Sequence, residues 1–253
     1  NNVANINTIG YKSQQASFKS LLYQNLQSTS TNNAGENKPV AAEVGLGSRV
    51  AAITSTFTQG NLTHVENPFS VALEGDGFFQ IRTESGELQY TRDGSFEISP
   101  VANGNMLCTS DGNPVLDAYG NQIILPSNRV ATDLVVNQDG TLAFPDGTGN
   151  PAVITDANGR PVKFGIYQFN NPAGLSKEGS NNYSVTVASG AAVAENGNAA
   201  VKQTKTHQYY TEASNVDVAN EMVNLIVAQR AYEMNSKAIQ ASDEMMQQAN
   251  ALR

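Results

Sequence analysis

The last forty or so residues of this chain contain neither glycine nor proline, and this feature constrains the fold more than any other. From Asn215 to Arg253 the segment is rich in Ala, Met, Gln and Glu, all of which favour the helical state. Asp217 and Glu221 follow a capping-box-like start and suit the positive end of a helix dipole. The sequence therefore predicts one helix from Asp217 to about Leu252, about 50 Å long.

A heptad row of mostly apolar residues runs along this helix. Its members are Val218, Leu225, Tyr232, Ile239 and Met246, and the small or polar Ala228, Asn235, Ser242 and Ala249 occupy the d-like positions between them. This spacing predicts a coiled-coil seam, in which small side chains let a partner backbone come close. The candidate assembly interface comprises these nine residues together with Met222, Val3 and Ile6. Periodicity alone leaves a second interpretation open, in which the helix packs on its own β-domain.

The middle of the chain, from about Val50 to Val187, shows the alternation that is typical of β-strands. Short alternating runs are separated by dipeptides that accept the positive φ of tight hairpins. The strand candidates are 70–73, 78–81, 134–136, 162–167 and 183–187, and the turn dipeptides are Asp76-Gly77, Asp93-Gly94, Asp111-Gly112, Asp139-Gly140, Asp146-Gly147 and Asn158-Gly159. An irregular antiparallel β-domain is expected.

These patterns predict an α+β chain with a mainly β core and three regions. Residues 1–26 and 212–253 form a terminal helical region, and residues 70–187 form the central β-domain. Residues 27–69 and 188–211 form a connecting β region, in which the polar loop 28–38 (STSTNNAGENK) is expected to be mobile in the free chain.

Charge and composition exclude several classes of partner. The net charge of −8 disfavours binding to nucleic acid and to anionic membrane surfaces. No run approaches the roughly 20 apolar residues that span a bilayer, so direct membrane insertion is not expected. Cys108 is the single cysteine, which rules out an intramolecular disulfide.

A search for reactive groups gives no catalytic, cofactor-binding or metal-ligating candidates. The chain has no G-x-S-x-G elbow, and His64 and His207 are its only histidines. We therefore predict a protein without enzymatic activity and without a cofactor. Two other classes stay open: a monomeric β-rich binding module with a helical tail, and a carbohydrate-active enzyme, because any acidic chain offers carboxylate pairs.

Several segments resemble one family, in the right order along the chain. Residues 1–12 (NNVANINTIGYK) look like the ANNxANxNTxGYK signature of flagellar basal-body rod and hook proteins. Residues 57–62 (FTQGNL), 74–79 (EGDGFF) and 90–96 (YTRDGSF) resemble the β-region of that family. Residues 212–217 (EASNVD) and 228–238 (AQRAYEMNSKA) are similar to its C-terminal signature. The polar stretch between Tyr23 and the GLGSRV run resembles the distal-rod branch, and the proximal-rod and hook paralogues are the alternatives.

The resemblance implies a mechanical function. Family members leave the cytoplasm through a type III export apparatus and assemble in the basal body, where the rod spans the cell envelope. Their terminal helices form an inner tube, and their β-domains form an outer layer. The expected partners are other copies of the chain, other rod and hook subunits, and the export apparatus. The expected product is a helical homopolymer that transmits torque, built by repeating one non-closing contact.

Overall fold

The computed structural model describes residues 1–27, 42–102, 104–146, 151–156, 158–198 and 201–251. The loop predicted at 28–38 lies outside these residues, as do Gly147 of one predicted turn and Leu252 at the predicted helix end. Within the described residues, the secondary structure comprises one α-helix, α1 (Val218–Ala251), three short 3-10 helices and twenty strands. The α+β class with a mainly β core is therefore confirmed.

The strands are short and pair antiparallel throughout the described chain. The 3-10 helices are Val3–Asn5, Ala131–Asp133 and Pro172–Gly174. The first ten strands are β1 (Gln14–Ser20), β2 (Tyr23–Gln27), β3 (Ala42–Gly45), β4 (Ser48–Ser55), β5 (Leu62–His64), β6 (Val71–Glu74), β7 (Phe78–Arg82), β8 (Leu88–Thr91), β9 (Glu97–Val101) and β10 (Gly104–Cys108). The remaining ten are β11 (Ile124–Leu125), β12 (Val135–Val136), β13 (Leu142–Pro145), β14 (Pro151–Val153), β15 (Ile166–Gln168), β16 (Ser176–Gly179), β17 (Asn182–Ser184), β18 (Val193–Ala194), β19 (Lys205–Gln208) and β20 (Tyr210–Glu212).

A six-stranded sheet of order β16-β17-β8-β7-β15-β18 forms the centre of the body. Because side chains alternate along a strand, Phe79 and Ile81 of β7 join the larger core cluster, while Phe78 joins a smaller one. In the larger cluster, the ring centroid of Phe79 lies 5.0 Å from that of Phe96 and 5.3 Å from that of Phe164. The sheet is thus covered by apolar side chains on both faces.

Five tight turns of one kind connect the strands of the described body. Each turn is closed by paired backbone hydrogen bonds and places a glycine at φ between 75° and 86°, where other residues are strained. The turns span residues 83–87, 109–113, 117–121, 137–141 and 156–160, and they confirm the positive φ predicted at Gly112, Gly140 and Gly159.

Two other predicted turn glycines have a different role. Gly77 and Gly94 are not in the positive-φ region, so the expected hairpin conformation is wrong for both. A Cβ on Gly94 would lie 1.7 Å from the carbonyl oxygen of Val71, and one on Gly77 would lie 2.4 Å from Ile166 Cγ2. These glycines are therefore required by close packing and not by turn geometry.

The N-terminal region corrects a second prediction. The sequence predicts a terminal helical region that includes residues 1–26. Within residues 1–26, only the single 3-10 turn Val3–Asn5 is helical. Strands β1 and β2 follow it, and they pair with β4 and β3 respectively to form a two-stranded ribbon. The β-branched residues Val50, Ile53 and Thr54 in β4 favour strand over helix.

Helix α1 begins and ends close to the predicted positions. It has no helical partner within the described chain, so the coiled-coil part of the prediction is not confirmed. No helix in the described chain has the length and apolar character needed to cross a membrane.

Candidate assembly interface

Motifs from four parts of the sequence meet at the base of α1. Lys12, Gly60, Arg92 and Glu212 come from four separate motifs, and we call these residues the base cluster. Lys12 Nζ donates to Glu212 Oε1 at 2.5 Å and to the Thr58 carbonyl at 2.8 Å. Gly60 N–H donates to the same Glu212 Oε1 at 2.8 Å. The family motifs therefore build one contact site between the N-terminal segment, the body and the start of α1.

The charges in the base cluster are fully buried. The side chains of Lys12 and Glu212 are 0% exposed, and Arg92 Nε lies 3.6 Å from Glu212 Oε2. The Arg92 guanidinium also donates to the carbonyls of Gly75 and Gly77. Burial is the largest cause that lowers the pKa of Lys12, and the positive charge of Arg92 lowers this pKa further. The Glu212 carboxylate acts in the opposite direction. Such a cluster holds the N-terminal segment, the body and the start of α1 in one arrangement, because a buried charge that loses its partner is strongly destabilising.

Asparagine and acidic side chains connect this base to the helix. Asn215 accepts a hydrogen bond from Ser13 N–H at 2.7 Å and donates to the Thr56 carbonyl at 2.8 Å. Asp217 Oδ1 accepts from Ala219 N–H at 2.9 Å, so Asp217 caps the helix. Asn2 donates to Glu221 Oε1 at 2.9 Å, which links the N-terminal 3-10 turn to the first helical turn.

Beyond this base, α1 is exposed along its whole described length. None of its 34 residues is buried. The predicted heptad residues Leu225, Tyr232 and Ile239 are 41%, 77% and 65% exposed. An exposed apolar row of this length is typical of a surface that contacts another molecule.

The structure brings together only part of the predicted interface. Val3 and Leu225 line one open groove of about 430 Å³ together with Ile53 of β4, while Ile6 is half-buried nearby. The other predicted residues are exposed along α1, with Met222 and Val218 near its base. They are Val218, Met222, Ala228, Tyr232, Asn235, Ile239, Ser242, Met246 and Ala249. The part of all twelve residues in assembly stays a prediction.

Sequence reasoning placed β3 and β4 in the predicted connecting β region, but it missed the ribbon, because β1 and most of β2 fall in the segment predicted to be helical. Its side chains Phe18, Val50 and Ile53 are 69%, 54% and 66% exposed, and Leu22 at its bend is 85% exposed. A two-stranded ribbon is marginally stable alone in water, and this one leaves its apolar side chains uncovered by the rest of the described chain. The β-branched residues Val50, Ile53 and Thr54 of β4 were the signal that could have revealed it.

Both histidines contact neighbouring side chains within the described chain. His207 Nε2 lies 2.7 Å from Glu74 Oε2, and this hydrogen bond is the main cause that lowers the pKa of Glu74. The ring of His64 packs against Tyr210, with the centroids 5.3 Å apart. Within the described residues, no three His, Cys, Asp or Glu side chains group as metal ligands.

The fold and its motifs define an axial protein of the bacterial flagellum. Residues 72–144 match the flagellar hook protein FlgE/F/G D1 domain, and residues 207–252 match the C-terminal region of flagellar basal body rod FlgEFG proteins. The chain belongs to the family of flagellar basal-body rod proteins. This confirms the family resemblance seen in the sequence.

Curated relatives match along nearly the whole chain. The chain is 39% identical to the flagellar basal-body rod protein FlgG of Borreliella burgdorferi, over 100% of this chain and 91% of that protein. It is also 39% identical to FlgG of Agrobacterium fabrum, over 97% of this chain and 88% of that protein. The flagellar hook-basal body complex protein FlhP of Bacillus subtilis is 32% identical over 100% of this chain and 91% of that protein.

Proposed function

We propose that this chain is a structural subunit of the distal rod in the flagellar basal body, and that it assembles with other copies into a helical tube that transmits torque. The proposal depends on the contrast between the segment that precedes α1 and the helix itself. Glu212 and Asn215, just before the helix, are joined to the body by a buried ion pair and by hydrogen bonds. No residue of α1 itself is buried. A long helix held rigidly at one end and apolar along its side suits contact with neighbouring copies.

The proposed contact is a coiled-coil seam along the heptad row, joined at the base of α1 by Val3 and Ile6. Removing apolar surface from water supplies the driving force, roughly 25 cal/mol per Å². Torque then passes from the helical layer to the β body through the base cluster. The partners are other copies, other rod and hook subunits, and the export apparatus. The proposal assigns no catalytic role to any residue.

Substitutions in the heptad row test this proposal. We expect Leu225→Asp and Ile239→Asp to block assembly, because each places a charge in an apolar seam, while the β body unfolds at an unchanged temperature. Gln240→Asp, on the polar side of the same helix, is the matched control and should assemble normally. Rod growth and motility in cells that carry each variant give the measurement. Normal growth with Ile239→Asp would contradict the seam.

Hydrogen exchange separates this function from that of a monomeric binding module. An assembly-dependent helix should exchange quickly beyond its first turns in a dilute monomer and slowly in the polymer. Slow exchange along Val218–Ala251 in the dilute monomer would favour the binding module. Gold labelling of the native flagellum distinguishes the distal rod from the proximal-rod and hook alternatives. A label in the proximal rod or in the hook would favour the corresponding paralogue.

A further inference from the structure

Two asparagine–glycine pairs of the described chain lie in turns that are held very differently. They are Asn158-Gly159 and Asn196-Gly197, and a third such pair, 103–104, begins outside the described residues. When glycine follows asparagine, the side-chain amide is open to attack by the next backbone nitrogen, because glycine has no Cβ to obstruct the approach. The hydrogen bonds of each turn therefore decide whether its asparagine can react.

The turn at Asn158 holds the attacking nitrogen in place. Gly159 N–H donates to the Asp156 carbonyl at 3.0 Å, and Asp156 N–H donates to the Arg160 carbonyl at 2.8 Å. Asp156 Oδ1 also accepts hydrogen bonds from the N–H groups of Asn158 at 2.8 Å and Arg160 at 2.9 Å. Reaction requires Gly159 N to leave its hydrogen bond and approach Asn158 Cγ, so it requires this turn to open first.

The turn at Asn196 leaves the corresponding nitrogen unbound. A backbone hydrogen bond of 3.2 Å from Asn198 N–H to the Glu195 carbonyl closes this turn, and Gly197 N–H has no hydrogen-bond partner within the described chain. Asn196 and Gly197 are both exposed. A Cβ built on Gly197 would meet no atom within 4 Å beyond its chain neighbours. The asparagine side chain and the glycine nitrogen therefore have room to approach each other.

We infer that Asn196 is a site of spontaneous deamidation, with water as the co-reactant. Gly197 N forms a bond to Asn196 Cγ, the bond between Cγ and Nδ2 breaks, and ammonia leaves with the proton of Gly197 N. Water then adds to one of the two carbonyls of the cyclic imide and opens it to aspartate or isoaspartate. No electrons are transferred. This modification is independent of the proposed function, and its failure would leave that function untouched.

The reaction changes the connection between β18 and β19. The preceding residue, Glu195, is 5% exposed, and its carboxylate accepts hydrogen bonds from Thr204 N–H at 2.7 Å and from Gln168 Nε2 at 2.8 Å. Deamidation of Asn196 places a new negative charge directly after this buried carboxylate, and isoaspartate also lengthens the backbone there. Because the reaction is irreversible, the modified fraction of the protein increases with time after folding.

Peptide mapping of the full chain tests the inference with an internal control. Trypsin releases Asn158 in peptide 130–163 and Asn196 in peptide 178–202, and fragment ions assign the mass gain to one residue. After incubation of the folded chain in mildly alkaline buffer, we expect Asn196 to convert at least tenfold faster than Asn158. In urea the two residues should convert at equal rates, because the turn that protects Asn158 is then lost. Electron-transfer fragmentation should detect both aspartate and isoaspartate at position 196.

Two variants control for the chemistry. Asn196→Gln should give no product at this position over the same period, because its longer side chain closes a ring less readily, and Gly197→Ala should react more slowly, because its Cβ obstructs the attack. Circular dichroism checks that both variants keep their fold. Equal conversion of Asn196 and Asn158 in the folded chain would overturn the inference, as would conversion of Asn196 in urea only. Aspartate without isoaspartate would also overturn it, because a cyclic imide opens to both.

Discussion

At the scale of single residues, the base cluster distinguishes this chain from a β body with a loosely attached tail. Lys12 and Glu212 are 200 positions apart in the sequence, yet their side chains meet with no exposed surface. Buried ion pairs add little net stability, but removing one partner leaves the other charge without compensation. Their effect is therefore to fix the geometry of the helix base.

We expect Glu212→Ala to lower the free energy of unfolding by about 3–5 kcal/mol, because Lys12 and Arg92 would stay buried without their carboxylate. Glu233→Ala, on the exposed side of α1, is the matched control and should change it by less than about 0.5 kcal/mol. Urea unfolding of both variants gives the measurement. A loss below about 1 kcal/mol for Glu212→Ala would show that water or rearrangement replaces the ion pair.

The sequence marked the motifs that contain this cluster, but none of its residues is among the predicted interface residues. Lys12, Arg92 and Glu212 each lie in a motif that resembles the rod and hook family. A single sequence gives no distance between them, since pairing of charges so far apart depends on how β5, β6 and β20 are arranged. The sequence therefore supplied only the motifs, and tertiary structure showed which of their side chains form one site.

At the scale of elements, prediction succeeded where local physics dominates. Helix α1 was foreseen almost to the residue, because the absence of Gly and Pro and the Asp217 cap are local signals. Three glycine turns were foreseen for the same reason. The ribbon was missed because its strands expose nearly every side chain, so no inward-facing apolar alternation marks them.

The ribbon should be the least protected β structure in the free chain. Its ladder between β1 and β4 packs against no buried core, whereas β7 and β8 lie in the middle of the central sheet. We expect amides of Ala16 to Lys19 to exchange at least tenfold faster than those of Phe79 to Ile81, measured by hydrogen–deuterium exchange in the monomer. Equal protection in a dilute sample would mean that the ribbon is stabilised by the chain itself. Slower exchange in assembled rods would place it in a contact between copies.

At the scale of the whole molecule, the described structure divides into a well-packed body and exposed extensions. Two core clusters lie on either side of the central sheet, and the ribbon and α1 carry the exposed apolar surface. A monomer built in this way has a packed core in its body and leaves apolar side chains exposed on the ribbon and α1. The heptad row in the sequence predicted that α1 carries an exposed apolar surface. The sequence did not predict the exposed apolar surface of the ribbon.

The pH dependence of stability reports on the packed body alone, because the buried titratable groups lie there. Burial raises the pKa of Tyr183, and it is also the first cause of the raised pKa values of Tyr90 and Tyr167. Above about pH 10 the unfolded chain loses tyrosine protons that the folded chain keeps, so folding stability falls as pH rises through that window. The lowered pKa of Lys12 has the opposite effect on stability. Just below the usual lysine pKa, the unfolded chain binds a proton that the folded chain has lost, so folding stability rises with pH there.

We therefore expect stability to fall above about pH 10, by at most about 1.4 kcal/mol per pH unit for each buried tyrosine. Tyr183→Phe should reduce this slope, because it removes the most strongly perturbed phenol and keeps the ring packed against Phe78. Tyr232→Phe, in exposed α1, should leave the slope unchanged. Urea unfolding at about pH 8, 10 and 11 gives the measurement. Equal slopes for all three proteins would show that Tyr183 ionises as freely in the folded chain as in the unfolded one.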